Sequence, residues 1–253
     1  MSSITIGLIA AGCIFGGALG GVWLQNRLPR HHLDEDSFEI VKLGAGMLAT
    51  VTALVLGLLV SSAKSTFDTV NEGIRQVSAK IIMLDRITAQ YGPDAKAVRD
   101  QLKQSFTASV EAAALRKSVG ASGWATVQAT NRVEAVQARL RELTPQTDGQ
   151  RQLLLQAHQL AGDVAQTRWL LMEEAQNELP LPLLAILICW LTILFGSFGL
   201  FSPRNPTVIT VLFVCACSMS AAIFLILELN RPLDGFLKAS GDPLRNALHE
   251  LGH

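Results

Sequence analysis

The chain has 253 residues, 49% of them apolar and only 17% charged, and its mean hydropathy is positive. That balance excludes an ordinary soluble domain and points to a membrane protein with a polar insert. Lys plus Arg equals Asp plus Glu at 21 each, so there is no basic surplus of the kind nucleic-acid binding needs.

In chain order, the first apolar run covers residues 4–24. It is close to the ~20 residues a helix needs to cross about 30 Å of hydrocarbon, and a helix alone satisfies its own backbone there. Gly12, Gly16 and Gly20 recur at every fourth position, with Gly17 and Gly21 beside them. Such a face lets another helix approach closely, in the same chain or another. "AAGC" at 10–13 resembles a lipoprotein cleavage site, but "MSSIT" carries no basic residue and the apolar run continues beyond it, so a span is expected rather than a signal. The loop that follows, about 25–39, contains "RHHLDED". Contiguous His31, His32 and acids without cysteine read as a solvated loop rather than a zinc site, with Asp36 or Ser37 capping the next helix.

The second run, "LGAGMLATVTALVLGLLVSSAKS" at 43–65, carries two patterns. Gly46, Thr50, Ala53, Gly57 and Ser61 form a small, partly polar stripe that ends near Lys64. Met47, Val51, Leu54 and Leu58 form an apolar ridge next to it. Small residues suit a helix-packing groove and equally the wall of a pore, and an apolar ring can gate by dewetting. Residue types leave both readings open. Lys64 is either a solvated cap, able to pair with Glu228, or a cation at a pore mouth.

Residues 65–178 are polar and helix-forming, with breaks at "YGP" (91–93), "GASG" (120–123) and "LTPQTDG" (143–149). Helices are expected near 65–91, 94–118, 123–143 and 146–178, with Thr144 as N-cap and Pro145 at the first helical position of the last. Val133, Val136, Leu140 and Leu143, then Leu153, Leu160, Val164 and Leu171, give these helices amphipathic faces. No proline separates Lys64 from Ser78, so the second span should run out of the bilayer as one long helix. The third should start afresh at Pro180 or Pro182.

Two further runs, 179–201 and 207–227, joined by "SPRNP", form a helical hairpin. An amphipathic tail follows, with Leu244, Leu248 and Leu251 on one side. The organisation is therefore all-α: 1–64 holding two spans, 65–178 a helical insert, 179–228 two more spans, and 229–253 the tail. Lys64, Arg75, Arg168, Arg231, Lys238 and Arg245 lie on one side, against Arg27, Arg30, Lys42 and Arg204 on the other. The positive-inside rule puts insert and termini in the cytoplasm. Cys13, Cys189, Cys215 and Cys217 all fall in apolar runs and read as packing residues. No catalytic grouping, phosphate loop or dinucleotide fingerprint appears, so no enzyme, cofactor or metal is expected.

Several segments resemble the bacterial bestrophin-like membrane family. They are "LPRHHLDEDS", "VKLGAGMLATVTALVLGLLVSSAKSTFD", "LDRITAQYGPDAKAVRDQL", "LPLPLLAILICWLTILFGSFGLFSPRNPTV" and "AAIFLILELNRPLDGFLKASGDPLR", spanning about 28–248. The resemblance implies a homo-oligomer, a pentamer by comparison with bestrophins, in a bacterial inner membrane. It implies a chloride-type anion channel whose second span lines the pore. Met47, Thr50, Val51, Ala53, Leu54, Gly57, Leu58, Ser61 and Lys64 become the pore-lining candidates, and Gly12, Gly16 and Gly20 the helix-packing ones. Lipid and inorganic ions are the implied partners. Two departures stand against full equivalence. Bestrophins narrow their pore with aromatic residues, and 43–63 has none. Their calcium clasp is acidic, and the turn at Pro232 is followed only by Asp234 and Asp242, so calcium gating is not expected. The alternative function is a membrane-anchored helical scaffold or sensor that conducts nothing. A secondary transporter is disfavoured, because no span carries a mid-membrane charge and no inverted repeat appears.

Overall fold

The computed structural model describes residues 2–27, 35–115, 127–176, 179–203, 205–232 and 242–251. Every regular element among them is helical: α1 Ser3–Gln25, α2 Glu35–Tyr91, α3 Lys96–Leu115, α4 Val127–Arg141, α5 Asp148–Gln176, α6 Leu181–Leu200, α7 Pro206–Leu229 and α8 Asp242–Glu250. Four of these, α1, α2, α6 and α7, are long and apolar enough to cross a membrane. Two compact units result, Met1–Ser65 with Glu178–Asn230, and Thr66–Asn177 with Arg231–His253.

The long second helix is present. α2 runs 57 residues without interruption, contributing to both units. It is already helical at Glu35, so Asp36 and Ser37 lie inside it instead of capping it. It ends where the sequence forces an end. Gly92 has φ 117°, a left-handed conformation that L side chains rarely adopt, and Pro93 then opens a single 3-10 turn, Pro93–Ala95, leading into α3. α6 starts behind Pro180, which occupies its N-cap, and α7 starts with Pro206 at its first position.

The start of α5 corrects the expected cap. Thr144 and Pro145 precede the helix; Thr147 caps it instead, its Oγ1 accepting the Gln150 N–H at 3.1 Å. Gln150 Oε1 in turn accepts the Gln146 N–H at 2.8 Å, a reciprocal arrangement close to a capping box. Gln150 Nε2 also donates to the Tyr91 carbonyl at 3.2 Å, tying this cap to the end of α2. The "GASG" break lies outside the described residues.

In the first unit, α1 packs against both α6 and α7. Ala10, Ile14 and Ala18 of α1, Leu59 and Ala63 of α2, Leu187 and Leu191 of α6, and Ile223 and Ile226 of α7 share one core. Ser220 of α7 donates to the Gly7 carbonyl of α1 at 2.6 Å, a buried interhelical hydrogen bond of the kind that holds helices together in lipid.

The second unit has its own core, built from Val70, Ile74, Val77 and Leu84 of α2, Val98 and Leu102 of α3, Val136 and Leu140 of α4, and Ala161 and Val164 of α5. Its drive is water-mediated burial, about 1.5–3 kcal/mol for each large apolar side chain. Leu244 and Ala247 of α8, and Leu251 just after it, belong to this core as well. The amphipathic face of the tail is therefore covered by helices of its own chain, not laid on a lipid surface.

Candidate ion path and helix-packing faces

Three faces of α2 can be distinguished within the first unit. One packs on the rest of the chain: Thr52 is 3% exposed, Leu59 6% and Ala63 0%, with Val55 and Leu56 against the same core. The other two faces carry every pore-lining candidate, and both are bare. Met47, Leu54 and Leu58 are 68%, 66% and 64% exposed, and Val51 is exposed as well. Thr50, Ala53, Gly57, Ser61 and Lys64 are exposed too. A Cβ built at Gly46 or Gly57 meets nothing within 4 Å. The groove within the chain thus runs along Thr52, Leu59 and Ala63, a line that sequence spacing did not single out.

The hydroxyls on α2 are locally satisfied. Thr50 Oγ1 donates to the Gly46 carbonyl at 2.9 Å and Thr52 Oγ1 to the Leu48 carbonyl at 2.7 Å. This is how Thr is carried in an apolar helix without an unmet donor. The stripe therefore offers small size and mild polarity. Charge first appears at Lys64, which engages other groups of the chain, as does the buried Glu228.

The glycines of α1 divide by face. Gly17 and Gly21 press on α6: a Cβ at Gly17 would stand 2.5 Å from the Thr192 carbonyl oxygen, and one at Gly21 would overlap the Gly196 carbonyl oxygen. From the other side, a Cβ at Gly199 would overlap the Ala18 carbonyl oxygen. This is a mutual small-residue contact between two helices. Gly12, Gly16 and Gly20 have open space beside them within the chain.

Outside these segments, the second unit is tied by polar contacts. Arg99 binds Asp85, Lys80 Nζ donates to Thr167 Oγ1 at 3.0 Å, and Thr66 Oγ1 donates to Glu174 Oε1 at 3.1 Å. Hydrogen bonding to Asp85 raises the Arg99 pKa. His158 Nδ1 lies 2.9 Å from the Leu154 carbonyl oxygen, a local helix contact. Among the described residues no group of three His, Cys, Asp or Glu side chains is placed to hold a metal. His31, His32 and Asp234 lie outside those residues. All four cysteines are exposed on the apolar helices, and none is in a disulfide.

The comparisons with known proteins agree with this architecture. A family model described as Bestrophin-like domain matches residues 12–244. A solved structure described as the crystal structure of a membrane protein matches with a TM-score of 0.63 at 14% identity, covering 99% of each chain. No curated protein matches the chain.

Proposed function

The chain belongs to the Bestrophin-like family, and on that premise we propose that it is an oligomeric channel that passes anions through a pore lined by α2. The observation that carries the reading is the exposure of two adjacent faces of one apolar helix, with its third face closed against its own chain. A helix bare on two sides is completed when copies assemble around an axis: the small stripe takes the neighbouring subunit and the ridge of Met47, Val51, Leu54 and Leu58 meets the ion path. The open glycine face of α1, at Gly12, Gly16 and Gly20, gives the neighbouring subunit a second place to approach closely.

In this reading residues 1–64 and 179–228 form the membrane part, 65–178 the cytoplasmic insert and 229–253 a tail folded on it, in a bacterial inner membrane. The ring is a homo-pentamer by analogy with bestrophins. The apolar ridge supplies the constriction in place of aromatic residues, and Lys64 raises the local anion concentration at the cytoplasmic mouth. No chemistry is performed on the ion, so the protein is not an enzyme.

Reconstitution in planar bilayers tests this. Unitary currents are expected from the wild type and none from Gly57→Trp, whose indole would crowd the small face that takes the neighbouring subunit. Protein that inserts and assembles but never conducts is instead a membrane-anchored scaffold.

A further inference from the structure

α2 meets the membrane unit closely only along part of its length. Val55, Leu56, Leu59 and Ala63 pack into the core of that unit. The earlier turns, from Val41 to Ala49, border a groove of about 560 Å³ shared with the end of α6. Ala45, Gly46 and Ala49 form one wall, small and apolar; Phe198 and Phe201 form the other. Among the described residues lining it, Lys42 alone is charged, and it stands with Ser202 where the apolar runs of α2 and α6 stop. The end of α1 reaches the same level, since a Cβ at Gly21 would stand 2.8 Å from the Leu200 amide nitrogen of α6. There the Arg27 guanidinium lies over the exposed Trp23 ring, 5.2 Å from its centroid. Tryptophan and basic side chains gather at the depth of lipid headgroups. The rim of the groove is therefore at headgroup depth and its apolar walls are in hydrocarbon.

Size decides what fits. The groove follows α2 for about 12 Å, at 1.5 Å per residue, so its mean section is about 50 Å². A helix with its side chains is about 10–12 Å across, a section of about 80 Å² or more. A neighbouring subunit's helix is too thick for this groove, whereas unbranched hydrocarbon chains are not. Thr50 and the rest of the small stripe do not line it, so the proposed subunit contact there is untouched. Lys42 already engages other groups of its own chain, so what it brings to the rim is positive charge, not a vacant donor. We propose that this groove binds one anionic phospholipid, its acyl chains along Gly46 and Ala49 against Phe198 and its phosphate at the rim near Lys42. The lipid completes the contact between α2 and α6 at the end where their own side chains leave it open.

Native mass spectrometry of the detergent-solubilised full chain tests this without measuring any current, so it stands or falls separately from conduction. The protein is stripped of lipid, then given dioleoyl phosphatidylglycerol or dioleoyl phosphatidylcholine. One phosphatidylglycerol per subunit should be retained, and phosphatidylcholine about fivefold more weakly, the ratio expected for one cation near one headgroup charge. Lys42→Gln should remove that preference. Gly46→Leu, at a position where a Cβ meets nothing within 4 Å, should lose both lipids at an unchanged subunit number. Val211→Phe, on an exposed face of α7, should retain them. The proposal is overturned if the wild type holds the two lipids equally, or if Lys42→Gln keeps the preference. It is overturned equally if Gly46→Leu retains phosphatidylglycerol as the wild type does, or if Val211→Phe loses as much, because the bound lipid is then an ordinary shell.

Discussion

Asp85 of α2 holds Arg99 of α3 by two hydrogen bonds, Nε to Oδ1 at 2.8 Å and Nη2 to Oδ2 at 3.0 Å, with the Asp85 side chain 4% exposed. The two residues flank the Gly92–Pro93 corner, so the pair fixes the angle at which α3 leaves α2. Arg99 is partly exposed, so removing its partner strands a partly solvated charge and costs less than the about 3–5 kcal/mol of a fully buried pair. Asp85→Ala should therefore melt the insert at a clearly lower temperature, as followed by circular dichroism of the purified protein. Arg99→Lys should lose part of the same stability, since an ammonium does not reproduce the planar fork. The pKa of Arg99 is raised, so on the alkaline side its contribution is lost only as pH rises through the arginine range. Neutral-to-mild-alkaline titration should leave it intact.

The corner itself gives a second prediction. Gly92 sits at φ 117° and ψ −170°. A side chain there is held in a region that costs about 1–3 kcal/mol. Gly92→Ala should destabilise by that amount although a Cβ meets no atom within 4 Å. An unchanged melting temperature would mean the backbone relaxes freely at this turn.

A third prediction separates the two glycine faces of α1. Gly21→Val would drive a side chain into the Gly196 backbone, so the α1–α6 contact should open, at a cost of about 1–3 kcal/mol or more. Gly20→Val meets open space within the chain and should leave the melt of the single subunit unchanged. On the proposed assembly it should instead lower the oligomer fraction in native mass spectrometry. Equal effects of both substitutions on subunit stability would contradict the division of faces.

Much of this architecture is legible from the residues alone. The unbroken helix through Lys64–Ser78 follows from good helix formers without proline. The end at Tyr91 follows from a glycine that permits φ above zero and a proline that restarts the chain. Other features depend on tertiary packing that spacing cannot rank. Gly12/16/20 and Gly17/21 share a four-residue period, and only contact with α6 selects the second set. Thr147 and Thr144 are both plausible caps, and Gln150 three residues after Thr147 was the overlooked signal. Arg132 and Arg168 are 36 residues apart and come to one apolar pocket only because α4 folds against α5.

Charge at the proposed mouth gives a fourth prediction. Lys64→Glu should shift permeability from anions toward cations in bilayer recordings. The shift should shrink as salt rises and the Debye length falls below about 10 Å. Unaltered selectivity at low salt would remove Lys64 from the ion path.

The central claim is that copies of residues 43–64 surround a shared aqueous axis. The most direct measurement is the reaction of a charged, water-soluble thiol reagent with Leu54→Cys in bilayer-reconstituted protein whose four native cysteines are replaced by serine. Thr52→Cys, on the face closed against the chain, serves as comparison. Rapid modification at 54, loss of current on modification and protection at 52 are expected. A residue 54 that stays unmodified by the aqueous reagent while a lipid-soluble one labels it would place this face of α2 in the bilayer and contradict the account.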